Sequence, residues 1–367
     1  MDDRRVPWVA LNAAVYGHPR SARIVLRTFA EVEEVFAAGP EGLAGLGIRE
    51  DVARRLADPG VLGEARGELE KLEKKAYSIM TFEDAAYPPL LREIYDPPLV
   101  LYVSGRAEAL AGPAIGMVGA RRPTAYGRAM ARRLAGDLAS RGLVVVSGFA
   151  RGIDTCAHAG ALEAGGRTVA VLGSGLDDIY PPENRSLAEK VGETGAVVTE
   201  LPLGTAPLGF HFPLRNRIIA GLGTGLVVVE ASRHSGSLIT ARLALEENRE
   251  VMAVPGNVTS GLSEGTNGLI RWGARLVEDW EDVAEGLPAP LRDEVLARRA
   301  SEDEPEPGLT GAEAAVLAAV PADAEVHIDA LAERTDLSVS ELLGTLLGLE
   351  LKGLVVQGPG KNFQRRM

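Results

Sequence analysis

The residues best placed to do chemistry in this chain are arginines set beside glycines. Four stretches carry them: Val118-Gly119-Ala120-Arg121-Arg122-Pro123-Thr124-Ala125-Tyr126-Gly127, Ser147-Gly148-Phe149-Ala150-Arg151-Gly152-Ile153-Asp154, Tyr180-Pro181-Pro182-Glu183-Asn184-Arg185 and Phe210-His211-Phe212-Pro213-Leu214-Arg215-Asn216-Arg217. A fifth, Ser235-Gly236-Ser237-Leu238-Ile239-Thr240, offers hydroxyls and amides at a helix start. Glycine lets a backbone approach its ligand, a helix N-terminus favours an anion, and a guanidinium grips phosphate with two parallel bonds. Phosphate binding is therefore the direct reading of these loops. Phe212 beside arginines suits base stacking next to a phosphate path, with a buried Phe212 as the competing reading. Asp154 and His158, four apart, are read as a helix cap and a packed imidazole.

Other chemistries lack their residues. No glycine loop carries a Walker A lysine, and neither Gly173-Ser174-Gly175 nor Gly221-Leu222-Gly223 completes a dinucleotide glycine pattern, so no nucleotide cofactor is expected. No serine sits in a nucleophile elbow, and Cys156 has no evident base and orienter. No Cys/His cluster has zinc spacing, and a single cysteine suits a reducing compartment. The expectation is a binder and not an enzyme. The alternative is a nucleotide-processing phosphoribohydrolase with Glu230 as its carboxylate, although the Pro-Gly-Gly-x-Gly-Thr loop of that class is absent.

These loops need a frame that brings them together. Six apolar, mostly β-branched runs supply it: 114–118, 143–147, 168–172, 196–200, 225–230 and 250–254. Between them lie amphipathic helices such as 126–141 and 237–248, and the alternation predicts an α/β fold with a doubly wound, Rossmann-like parallel sheet. In such a sheet ligands bind beyond the carboxyl ends of the strands, where the arginine loops fall.

The expected division is a helical domain over 1–80, the sheet domain over 81–287, an acidic Pro-rich linker over 288–308, and a winged helix over 309–367. The first part is read as short helices broken by glycines, with Leu43-Ala44-Gly45-Leu46-Gly47-Ile48 either a turn like that of helix-hairpin-helix and SAM-like modules or, the favoured reading, a plain glycine turn between two packed helices. Pro288-Ala289-Pro290 and Ser301-Glu302-Asp303-Glu304-Pro305-Glu306-Pro307-Gly308 bury too little to fold. Helices over 312–320, 328–334 and 339–352 followed by a hairpin spell the winged helix.

The 367 residues carry 39 Lys and Arg against 51 Asp and Glu, a net charge of −12 that excludes a polycationic coat. The charge is uneven, however. Residues 113–242 hold 14 basic and 10 acidic side chains, whereas 291–367 hold 8 and 14. Arg4-Arg5 are not followed by an apolar stretch of signal type and no run is long enough to span a bilayer, so a cytoplasmic location away from membranes is expected.

Taken in order, the five loop motifs closely resemble the DNA-processing protein A family, DprA or Smf, most strongly over residues 80–285. The N-terminal helices look like the family's SAM-like module and the last residues like its winged helix. The resemblance implies an extended Rossmann domain that binds single-stranded DNA, duplex more weakly, and forms a homodimer. It also implies displacement of single-strand-binding protein and loading of RecA during natural transformation. By this comparison Arg121, Arg185, Asn216 and Arg217 grip phosphates, within a DNA-binding set that adds Gly119, Arg122, Thr124, Gly148, Arg151, Gly152, Asn184, Phe212, Arg215, Ser235, Gly236 and Ser237. Leu269, Ile270 and Leu276 are the candidates for a dimer face. The helix over 339–351 carries almost no positive charge, which favours a protein contact over reading DNA.

Overall fold

The computed structural model describes residues 4–298, 309–321, 325–335 and 337–365. The expected linker segment 301–308 lies outside the described residues. All six predicted runs are strands: β3 (Ala114–Val118), β4 (Val144–Ser147), β5 (Thr168–Val171), β6 (Ala196–Thr199), β7 (Gly225–Val228) and β8 (Glu250–Ala253). Most of their residues are fully buried, as a sheet covered on both faces demands. Three strands join them: β1 (Ser78–Thr81) and β2 (Val100–Gly105) ahead of the set, and β9 (Arg275–Leu276) behind it.

The nine strands run in the order β1-β2-β6-β5-β4-β3-β7-β8-β9. From β6 across to β9 every neighbouring pair is parallel, and β2 and β1 extend the edge antiparallel. Successive strands wind one way from β3 to β6 and the other way from β7 onward, so the order reverses between β3 and β7. That reversal opens a crevice at the carboxyl ends of these two strands.

The N-terminal helices begin with α1 (Arg5–Val15) and α2 (Pro19–Thr28). They share one apolar core with Val100, Tyr102 and Val197 of the sheet and with Leu99 and Leu172 beside its strands, so the module packs on the sheet's face. Two side chains fasten it to the loop after β6: Asn12 Nδ2 donates to the Glu200 carbonyl at 2.8 Å, and Glu68 accepts from the Leu203 amide at 2.6 Å. In the Gly45–Gly47 turn, Gly47 stands at φ +87° between the helices Gly39–Gly45 and Glu50–Leu56.

One expectation needs correction at the chain's acidic stretch. Residues Ala289–Ala297 form a helix that buries Val295 against the sheet domain, and Arg298 donates to the Arg141 carbonyl. Pro290 sits in its first turn, where the missing N–H costs nothing. Beyond it, Gly311–Ala319, Ile328–Thr335 and Val339–Leu351 enclose a separate apolar core closed by a three-stranded sheet, the winged helix expected. Among the described residues no helix is long and apolar enough to cross a membrane.

Candidate nucleic-acid interface

The crevice between β3 and β7 holds a groove of about 530 Å³. Its walls come from the loop after β3 (Gly119, Arg121, Arg122), the helix His211–Leu222 (Phe212, Arg215, Asn216) and the loop after β7 (Ser235, Gly236, Ser237). Ala150, in the loop after β4, and Asp154, in the first turn of the helix Ile153–Glu163, also line it.

The loop after β3 is fixed from behind. Glu230, buried and held at φ +107°, accepts from the Thr124 amide at 2.9 Å and from the Thr124 hydroxyl. Thr124 in turn accepts from the Gly127 amide at 3.1 Å and caps the helix Ala125–Ser140. A Cβ at Gly127 would come within 2.3 Å of Glu230 Oε2, so glycine lets the carboxylate approach. Glu230, the carboxylate of the phosphoribohydrolase alternative, thus faces the helix start, where Thr124 engages it. The anchored turn leaves Arg121 and Arg122 exposed.

Aromatic rings and guanidiniums alternate along one side. Arg121 lies 5.8 Å from the Phe212 ring centroid, Phe212 5.9 Å from Tyr180, and Tyr180 5.8 Å from Arg151. Phe212 is half-buried and Tyr180 is exposed, so each keeps part of its ring open to a base. Arg151 is shared with Glu183 in an exposed pair, which is weak enough to exchange for a phosphate. Asn216 lines the groove half-buried, whereas Arg185, exposed at the start of the helix Arg185–Thr194, is not among the residues that wall it.

Several expected ligand residues instead build the frame. Arg217 is corrected from a phosphate grip: its guanidinium holds both Glu200 oxygens, at 2.5 and 2.6 Å, and Asp96 at 2.8 Å, with its side chain 13% exposed. Burial would lower its pKa, but the two carboxylates outweigh that and keep it above the ordinary arginine value. Arg215 is buried beneath the groove and donates to the carbonyls of Gly148 and Val171, tying the ends of β4 and β5 together. Asp154 and Arg215 both crowd Gly148, where a Cβ would lie 2.6 Å from Arg215 Nη1 and 2.7 Å from Asp154 Oδ2. Burial raises the Asp154 carboxyl to about 6, although the Arg215 charge and the Ala150 amide pull the other way. Asn184 is buried and donates to the Phe149 carbonyl and the Thr155 hydroxyl. Gly119 packs on Ile153, and Gly152, at φ +84°, faces the Ala120 carbonyl, so both serve close backbone packing.

His158 is packed inside, as read from the sequence, but Asp154 is not the helix cap: Gly152 holds that position in the helix Ile153–Glu163, and Asp154, buried in its first turn, accepts from the Ala150 amide at 3.2 Å. His158 pairs with the Thr168 hydroxyl at 2.7 Å, and burial lowers its pKa to about 3. The dimer candidates divide as well. Leu269 is inside the core and has no surface to offer, Ile270 is half-buried, and Leu276 is 41% exposed. Tyr180 in the stacking row and the Asp96–Arg217–Glu200 clamp are what the sequence reading missed. Tyr180 stands inside a quoted motif, beside Arg151 only in space.

Residues 78–288 match the family model of DNA recombination-mediator protein A, and residues 300–361 match the model of the DprA winged helix domain. The chain belongs to the DNA recombination-mediator protein A family. Among its relatives, Protein Smf of Escherichia coli is 41% identical over 79% of this chain and 78% of its own length. The DNA processing protein DprA of Streptococcus pneumoniae is 46% identical over 54% of this chain and 71% of its own. The solved structure of that S. pneumoniae protein superposes with a TM-score of 0.59 at 41% identity, over 65% of this chain and 86% of that one. DNA processing protein A of Helicobacter pylori, whose structure is described for its single-stranded DNA binding mode, gives 0.53 at 30% identity over 59% and 96%. The family assignment covers both the crevice loops and the acidic C-terminal module.

Proposed function

We propose that this protein binds single-stranded DNA in the β3–β7 groove and hands it to RecA. The observation that carries the reading is the row Arg121, Phe212, Tyr180, Arg151, which alternates cation and ring at spacings of 5.8 to 5.9 Å. Alternating phosphates and bases on an open strand are its complement. A duplex keeps its bases stacked on one another and offers these rings no free face, so single strands are preferred. Two relatives favour the same reading, one known as a DNA processing protein and one described for its single-stranded DNA binding mode.

Arg121, Arg122 and Arg185 are the phosphate contacts, with Arg151 recruited from its exposed pair. Asn216 and Ser235 add neutral hydrogen bonds, and Phe212 and Tyr180 take bases. Arg215, Arg217, Asn184 and Glu230 position these groups and do not touch the strand. A homodimer that displaces single-strand-binding protein and loads RecA in natural transformation follows from the family resemblance. The experiment is RecA filament growth on single-stranded DNA precoated with single-strand-binding protein. Wild type should shorten the lag and Arg121→Ala should not. Equal lags with and without wild type would overturn the hand-off.

A further inference from the structure

Helix α2 sets Arg20, Arg23 and Arg27 at i, i+3 and i+7, on one face of a 3.6-residue repeat. Among the described residues none of the three has a carboxylate within ion-pair reach. Arginines of the same module behave otherwise: Arg49 is held by Asp51 at 2.8 Å, and Arg55 by Asp58 and Glu64. In a chain of net charge −12, a row of unpaired cations is unusual.

An exposed ring stands beside that row. Tyr95 is 57% exposed, and the Arg23 guanidinium lies 4.2 Å from its centroid, covering part of the ring and leaving the rest to solvent. The Tyr95 amide donates to Glu247 at 2.9 Å, which fixes the loop. A cavity of about 430 Å³ runs between Arg23, Arg27, Arg92 and Tyr95. Of the carboxylates on its rim, Glu247 is engaged by that amide and Glu246 by Arg242 at 3.4 Å, while Glu93 is exposed.

This surface is close to the groove. The helix Ser237–Glu246 lines the groove at its first residue and the second cavity at its last. Ten residues at 1.5 Å rise separate the two by about 15 Å. Before α2, Tyr16 packs edge-on against His211 with centroids 5.7 Å apart, on the helix that carries Phe212 and Asn216.

We propose that single-stranded DNA leaving the groove continues onto α2, with a base on Tyr95 and its neighbouring phosphates on Arg20, Arg23 and Arg27. The inference rests on the groove reading and adds a second contact to it. Fluorescence anisotropy with labelled thymidine oligonucleotides tests it in the full chain, using lengths of about 6 nucleotides, enough for the groove, and about 20, enough to reach α2. Arg20 and Arg27 are exposed, so Arg20→Gln with Arg27→Gln should keep the wild-type melting temperature. That variant and Tyr95→Ala should each bind the long strand about tenfold more weakly and the short strand as wild type does. The double arginine variant should also flatten the long strand's log–log salt slope by about 1 to 1.5. Unchanged affinity and slope on the long strand would overturn the proposal, as would an equal loss on both lengths or a loss confined to duplex. Arg121→Ala separates the two claims, because it should weaken both lengths. If it weakens neither, the groove reading fails, and the α2 contact falls with it.

Discussion

At the scale of residues, neighbouring arginines in one motif do different work. Arg215 and Arg217 are two apart in a helix, about 200° around its axis, so one turns beneath the groove and the other toward Asp96 and Glu200. The sequence shows the arginines but not this division, since Arg217's partners lie 121 and 17 positions away. Arg217→Ala should therefore act on stability, leaving Glu200 buried without its cation at a cost of about 3–5 kcal/mol. Urea unfolding checks it, with unfolding at the wild-type midpoint as the contrary result. Phe212→Ala removes a stacking face and should weaken single-strand binding by about 1–3 kcal/mol without moving the unfolding midpoint. Asp154 gives a pH test. Its folded carboxyl, raised by burial to about 6, holds its proton more tightly than in the unfolded chain, so its contribution to stability falls as pH rises from 4 through 6. Wild type should lose up to about 3 kcal/mol relative to Asp154→Asn across that interval, read from paired denaturant curves.

At the scale of elements, the central strands were legible because each is a short apolar run, mostly β-branched, and a buried parallel strand needs little else. Strands β1 and β2 were not, because they precede the βα alternation and take their place only by pairing antiparallel with β6. The helix Ala289–Ala297 was hidden by its flanking prolines, which suggest a linker although Pro290 suits a first helical turn. The carboxylate of Glu230 ties the end of β7 to the helix after β3, a contact between residues 106 apart. Glu230→Ala frees the Thr124 amide and hydroxyl. It should weaken single-strand binding several-fold by loosening Arg121 and Arg122, with the fold retained; a circular dichroism spectrum beside a binding curve separates the two effects.

At the scale of the whole molecule, the charge of −12 and the proposed binding of a polyanion are compatible because the charges are segregated. The crevice is walled by arginines and serines. The winged helix instead turns Val339, Leu343 and Leu347 to solvent on the helix that would enter a groove of DNA. Its core shares no residue with the others, so deleting 309–367 should leave single-strand affinity within about twofold of wild type. The central claim is that the β3–β7 groove holds single-stranded DNA through Arg121 and the rings beside it. Titrating a labelled single strand with wild type and Arg121→Ala at two salt concentrations tests it most directly. The account predicts that the variant binds about tenfold more weakly at low salt, with a salt slope lower by about 0.7 and the same unfolding midpoint. Equal affinity and equal slope for the two proteins would contradict it.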